Sequence, residues 1–355
     1  MKAGILTFFS ANNYGAILQA FSLQKKVEEM YGSCECIDYK CPAIEAVHAT
    51  RPLNPRFGLK KNVKNMARNL FYAPRVRCFA SFRADVRHSK PYLPETIREA
   101  NQDYDIFITG SDQVFNLKLT GEDETYFLNF AEDSKYKVAY AASMGPFLDE
   151  KKQTYQRLLS RFDLLSVREK STAAELHEKL GIKCAVVPDP VFLHDAQEWK
   201  QLLQLGTDRG EDRYVLIYSL YESPELYRLA NEYARKNACK VYAITKAPRP
   251  SGKADRYLRK TDPRAFVRLI MNADYIVTDS FHGTAFSLIF NKQLHVVLPP
   301  NAQNRIVDLF SELDISAEEG ELDYERVNKQ LALYRDRGVE FLKRIDARTI
   351  KELQN

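Results

Sequence analysis

The residues best suited to chemistry sit at a few junctions of similar pattern. Ser280-Phe281-His282-Gly283-Thr284 follows a short β-branched apolar run and opens an apolar helical stretch. Backbone N–H groups at a helix start lack intrahelical partners and carry partial positive charge, so such a turn can seat a phosphate or carboxylate. His282 adds a side chain whose charge changes near neutral pH. It either caps the helix or handles a proton, and the local pattern leaves both open. Apolar runs also end in short polar turns at Asn12-Asn13-Tyr14-Gly15 and at Gly110-Ser111-Asp112-Gln113. Another run ends in Arg168-Glu169. Asp112, Asp189 and Asp279 are candidate bases, although Asp189, between Pro188 and Pro190, reads first as a structural turn.

These turns need a scaffold. Residues 3–9 form the apolar run of a central parallel strand, 16–30 show helical spacing, and 34–38 give a second strand. That is a βαβ unit. Ligands of open α/β sheets gather at the carboxyl ends of strands, which is where Asn12, Asn13 and Gly15 fall. A plain loop with an Asn cap explains the same residues equally well. Further strands are expected at 104–109, 136–142, 164–167 and 185–187. A polar stretch at 206–212 reads as a linker. A second series follows, with strands at 214–220, 240–245, 275–278 and 295–298. Helices are expected at 224–237, 262–272, from about 283, and at 304–313. Residues 59–89 read as one or two basic helices broken near Pro74, and 246–261 as a basic loop. The economical architecture is two doubly wound, Rossmann-like α/β domains facing a cleft, at 1–205 and 213–320. A helical segment at 321–355 is expected to cross back to the first domain.

Composition limits the function classes. The 355 residues are 45% hydrophobic and 28% charged, with net charge +5, which does not argue for nucleic acid. No run is long and apolar enough for a transmembrane helix or a secretion signal. The six cysteines show no CxxC pairing and read as reduced thiols of a cytoplasmic protein. The charge is unevenly spread. Residues 51–90 hold eleven Lys or Arg against one acid, Asp85, and 245–264 hold seven against two. Either block is a solvated face or meets an anionic ligand or membrane surface.

Several stretches together resemble the polysaccharide pyruvyl transferase family. They are residues 7–20 (TFFSANNYGAILQA), 109–116 (TGSDQVFN), 166–169 (SVRE), 189–193 (DPVFL), 278–283 (TDSFHG) and 304–306 (NRI), in the family's order. The resemblance implies a GT-B-like fold and transfer of pyruvyl from phosphoenolpyruvate to a sugar as a ketal. The sugar would belong to capsule, exopolysaccharide or cell-wall polymer, often on a lipid-linked precursor at the inner face of the membrane. On that reading His282, Arg168 and Asp112 are catalytic. Ser280, Gly283, Thr284, Arg305 and Lys246 bind the donor. Asn12, Asn13, Tyr14, Gly15, Ser111 and Gln113 bind the acceptor. Phosphoenolpyruvate is then a co-substrate, with no cofactor, no metal and no nucleic acid required. Peripheral contact with anionic membrane through residues 51–90 is expected, and the oligomeric state is left open. One family branch has Arg-Leu-His where this chain has Ser280-Phe281-His282, so another cation must stand in, with Arg168, Arg305 and the 246–261 loop as candidates. The alternatives are a GT-B nucleotide-sugar glycosyltransferase and a non-catalytic polysaccharide-assembly protein.

Overall fold

Strand-forming runs assemble into two all-parallel sheets. The structure, a computed structural model, describes residues 1–48, 51, 54, 58–206, 210–298, 303–316 and 321–352. The first sheet contains β1 (Lys2–Leu6), β2 (Ser33–Tyr39), β3 (His88–Tyr92), β4 (Ile106–Thr109), β5 (Tyr136–Ala142), β6 (Leu164–Val167) and β7 (Ala185–Val186), in the order β3-β2-β1-β4-β5-β6-β7. The second contains β8 (Tyr214–Tyr218), β9 (Lys240–Ile244), β10 (Arg256–Leu258), β11 (Tyr275–Thr278) and β12 (Leu294–Val296), in the order β10-β9-β8-β11-β12. In each sheet the order reverses beside the first strand, the point where a doubly wound fold opens a ligand crevice. Leu6 pairs with Thr109 and Tyr218 with Thr278, so the turns after these strands lie side by side.

Several local expectations needed correction. β1 stops at Leu6 although Phe8 and Phe9 continue the apolar run. The Phe9 N–H bonds the Thr7 carbonyl and the Ala11 N–H bonds that of Phe8, so the chain turns and both rings remain buried. The basic segment is one continuous helix, Leu59–Arg83, with Pro74 inside it. Proline removes a bond to the residue four before it, here Leu70. Leu70 is exposed, so water can take its place. β3 and β10 were not expected as strands. They are sheet edges, which tolerate polar residues and, in β3, Pro91. The expected linker and the boundary at 320 fall partly on residues outside the described set, as do positions 52, 53 and 55–57 of the basic stretch.

One apolar core runs through both domains. Trp199 is fully buried, with its ring centroid 5.0 Å from that of Phe286 and 6.4 Å from that of Phe21. A second core fills the other face of the first sheet. The C-terminal helix Tyr324–Glu352 ties the domains together. At its start the Tyr324 hydroxyl bonds the Lys292 carbonyl. Further along, the Tyr31 hydroxyl donates to the Leu342 carbonyl at 2.6 Å, and Arg335 Nε donates to Phe192 O at 3.2 Å. The helix therefore crosses back to the first domain.

Gly338 is where that crossing is tightest. A Cβ there would lie 2.5 Å from Tyr140 Oη and 2.7 Å from Pro188 Cγ. Replacing a helical Gly by Ala gains about 1 kcal/mol of propensity, but overpacking a dense contact costs about 1–3 kcal/mol. Because Tyr140 and Pro188 are rigid neighbours, the clash should win. Gly338→Ala is expected to lower the unfolding free energy in urea titration by roughly 1 kcal/mol. A more stable variant would show that the helix does not dock this closely.

Candidate functional site

Turns after β1, β4, β5, β6 and β7 of the first domain and after β8 and β11 of the second converge where the sheets face each other. In the first domain the donors and acceptors come from the ends of β4, β5, β6 and β7. The β4 turn holds Asp112 at φ 75°, a left-handed backbone that a non-glycine residue adopts at a cost. Its carbonyl accepts from Ser143 N at 2.9 Å and Val114 N at 2.8 Å, and its Oδ1 accepts from Gln113 N at 2.8 Å. Thr7 Oγ1 braces the same turn by donating to Ser111 O at 2.8 Å. β5 shifts register between Ala139 and Ala142, a bulge held by the Ser166 hydroxyl, which accepts from Ala141 N and donates to Ala139 O. Just beyond the bulge, the Ser143 hydroxyl donates to Glu169 Oε1 at 3.0 Å.

Arg168 is the buried hub. Its Nε donates to Glu169 Oε1 at 2.9 Å, and its Nη1 to Asp189 Oδ2 at 2.6 Å. The guanidinium lies 4.6 Å from the centroid of the Phe281 ring. Nη2 has no hydrogen-bond partner, and neither does Glu169 Oε2. Burial opposes the charge, but Glu169, Asp189 and Asp112 outweigh it and hold Arg168 protonated above its ordinary range. Asp189 also accepts from Ser111 Oγ at 3.0 Å and from Val191 N at 3.1 Å. It is thus both the structural turn expected between two prolines and part of the charged cluster. Burial alone would raise its carboxyl; the charges of His282 and Arg168 and the Val191 N–H offset that and hold it well below the usual carboxylate range.

In the second domain, Ser280 caps the helix Phe281–Ile289 by accepting from Gly283 N at 3.4 Å. No bond from the backbone N–H of Phe281 or His282 is seen among the described residues, so these two point free from the helix start. Asp279 accepts from Ser219 Oγ, Leu220 N and Tyr221 N at 2.7–3.1 Å. It is saturated and braces the turn. His282 reaches across to the first domain. Its Nε2 lies 3.5 Å from Asp189 Oδ2, close enough for charge attraction but outside hydrogen-bond geometry, and has no other partner. The ring also lies on Gly15, where a Cβ would stand 2.0 Å from His282 Nδ1. That close approach is what a glycine at this position permits.

The resulting cleft is lined by Asn13, Asp112, Tyr221, Ser280, His282 and Arg305, among others, and encloses about 40 Å³, room for a few waters. Arg305 comes from the helix Gln303–Glu312 and has no hydrogen bond or ion pair among the described residues. Burial and the neighbouring Arg168 charge both lower its proton affinity. Arg305, unpaired among the described residues, therefore lies in the cleft with the free helix N–H groups, and the buried Arg168 charge is close enough to be felt there. That is an arrangement for an anion.

Not all expected site residues converge. Asn13 and Gly15 are at the cleft, but the Asn13 side chain is occupied capping Gly15 N and Ala16 N. Ser111 is buried behind it on Asp189. Gln113 turns to Asn116. Thr284 is buried and bonds back to Ser280 O. Tyr14 does not face the cleft. It is fully buried between the domains, stacked on Phe266 at 4.4 Å with its hydroxyl on Thr261 O. Asn12 opens instead into a neighbouring groove with Arg83, Asp38, Glu45 and His88, where it accepts from Arg83 Nη1 at 3.1 Å. Lys246 is exposed, and its carbonyl accepts from the Tyr72 hydroxyl. Sequence reasoning gave no role to Glu169 or Tyr221. Glu169 was within sight as the acid next to Arg168; Tyr221 had no local signal.

Solved structures share this architecture. UDP-GlcNAc 2-epimerase from Neisseria meningitidis, bound to UDP-GlcNAc, matches with TM-score 0.51 at 10% identity, over 96% of this chain and 94% of that one. The Rickettsia bellii UDP-N-acetylglucosamine 2-epimerase matches with TM-score 0.50 at 11% identity, over 97% and 94%. At such identities the likeness is of fold alone, and the fold is GT-B-like. No curated protein matches by sequence. Residues 13–299 match the polysaccharide pyruvyl transferase family, a stretch that contains every strand of both sheets except β1. The chain belongs to the polysaccharide pyruvyl transferase family.

Proposed function

We propose that this protein transfers pyruvyl from phosphoenolpyruvate to a sugar of a cell-surface polysaccharide or its precursor, as a ketal. The observation that supports this most is Arg305, a half-buried cation that lines the cleft without a hydrogen-bond or ion-pair partner among the described residues. Two sugar hydroxyls add to the central carbon of the donor. One hydroxyl proton goes to the methylene carbon, which becomes a methyl group, and the other leaves with the phosphate as the carbon–oxygen bond breaks. Arg305 is the donor's principal cation and takes the place of the arginine absent at Ser280. Arg168 contributes its charge from the buried cluster, since its hydrogen bonds hold Glu169 and Asp189. The free N–H groups of Phe281 and His282 share the phosphate. His282 Nε2, 3.5 Å from Asp189 Oδ2 and without another partner among the described residues, is suited by position to deliver a proton. Asp112, held in a strained backbone at the mouth, is placed to take a hydroxyl proton.

The cleft encloses about 40 Å³, so the donor widens it on binding. The groove beside Asn12, about 690 Å³, has carboxylate, amide and imidazole groups suited to sugar hydroxyls, and we assign the acceptor to it.

Phosphoenolpyruvate should raise the melting temperature of the wild type, since a ligand at a hundred times its dissociation constant stabilises by about 2.7 kcal/mol. Arg305→Ala should remove that shift. A shift with UDP-GlcNAc and none with phosphoenolpyruvate would favour a nucleotide-sugar enzyme instead. His282→Ala should slow acceptor-dependent phosphate release by roughly 10²–10⁴-fold; wild-type release from a folded variant would exclude His282 from the chemistry. Asp189→Asn should lose about 3–5 kcal/mol at pH 7, because a buried pair is broken. The folded carboxyl is held below its ordinary value of about 3.9, so its contribution is present above that pH and lost on acidification. The stability gap between wild type and Asp189→Asn should narrow below about pH 4, and a gap that widens there would contradict the ion-pair assignment.

A further inference from the structure

The basic helix Leu59–Arg83 presents a surface that neither the fold nor the cleft accounts for. None of residues 59–71 is buried. Leu59, Val63, Met66 and Leu70 follow at intervals of four, three and four, so they form one stripe, and they are 81%, 50%, 47% and 67% exposed. Lys60, Lys64 and Arg68, four apart, form a parallel row on its flank. None of these three has an ion-pair partner among the described residues, and the sequence has no acid between residues 51 and 84. On the other flank, Asn62 and Asn69 bond the backbone of residues 54 and 51, so that side is covered.

The fold joins this helix to the second basic block. The Tyr72 hydroxyl donates to Lys246 O at 3.1 Å, and the Arg259 guanidinium lies 5.8 Å from the centroid of the Phe71 ring. Residues far apart in sequence thus make one cationic face that spans both domains.

We infer that this face docks on an anionic lipid bilayer, with the apolar stripe at the acyl boundary and the cations among the headgroups. An exposed apolar stripe flanked by lysine and arginine is the pattern of a helix lying in a membrane interface. Nucleic acid would leave the stripe in water. A second copy packed antiparallel through a two-fold axis would bring the Lys60–Lys64–Arg68 rows together, and like charges would oppose that contact. The inference does not depend on the transfer chemistry, so either can fail alone. Val76, Ala80 and Arg83 further along the same helix line the groove beside Asn12, so docking would bring the bilayer to the edge of the molecule that borders that groove.

The test is co-sedimentation of the full chain with vesicles. Wild type should bind phosphatidylcholine–phosphatidylglycerol vesicles, should bind phosphatidylcholine alone far less, and should release as salt rises. At about 1 kcal/mol per basic residue, the triple variant Lys60→Gln, Lys64→Gln, Arg68→Gln should bind roughly a hundredfold more weakly. The variant Leu59→Ser, Val63→Ser, Leu70→Ser should also lose binding, and both should fold, since these side chains are exposed. The proposal is overturned if wild type fails to bind at low salt, or if the serine variant binds as wild type does. It is also overturned if wild type is a dimer in solution that the serine variant dissociates, because the stripe would then belong to a second copy.

Discussion

The site depends on a contact between a residue with no side chain and a histidine from the other domain. Gly15 starts the first helix of one domain, and the His282 ring of the other lies on it, with Asp189 on the ring's far edge. Nothing larger than glycine leaves room for that ring. The neighbouring residue makes the contact reproducible. Tyr14 is stacked between the domains on Phe266 and held by Thr261 and Arg75. A polar hydroxyl anchored to the far domain and an aromatic face buried against it fix both distance and orientation. Histidine and glycine can therefore approach closely without either domain being strained to reach the other.

The charges around this contact favour an anion more than their number suggests. Asp112, Glu169, Asp189 and Asp279 face Arg168, Arg305 and His282. Most of the negative charge is already answered. Asp279 takes three donors from its own domain, and Asp189 and Glu169 divide the Arg168 fork. Buried charges of this kind persist because each is paired and hydrogen bonded; removing one partner is far more costly than the net worth of the pair. Among the described residues, what remains unanswered is Arg305, Nη2 of Arg168, Nε2 of His282 and Oε2 of Glu169. The network thus works mainly as a rigid support, and the binding capacity lies in its few leftover groups.

Much of this was readable before the coordinates. β5, β6 and β11 fall on the expected residues because each is a buried β-branched or aromatic run with a polar turn after it. The alternation of these runs with helical spacing carried the two-sheet architecture, and the turns at Asp112, Arg168 and His282 could be placed at strand ends. What was not readable is what those side chains touch. Tyr14 looked like a ligand contact because it lies in a turn motif; that its ring would be stacked on Phe266, more than two hundred residues away, has no local signature. Asn12 and Asn13 are adjacent in sequence yet open into different cavities, because the helix cap rotates one away from the other. The edge strands β3 and β10 escaped notice because an edge needs pairing on one side only and accepts polar residues and proline.

The replacement of arginine by Ser280 follows the same logic. A cation in the turn itself would be held by the helix it caps, and would be present whether or not the domains are in register. Here Ser280 is occupied as the cap, and the available cations lie on separate elements. Arg305 projects from a helix of one domain and Arg168 from a strand end of the other. Burial and the neighbouring Arg168 charge both lower the proton affinity of Arg305. An anion bound at Arg305 would offset both effects, and on the proposed reading it would draw on groups of both domains at once. Dividing the cations in this way would then couple recognition of the anion to the closeness of His282 and Asp189.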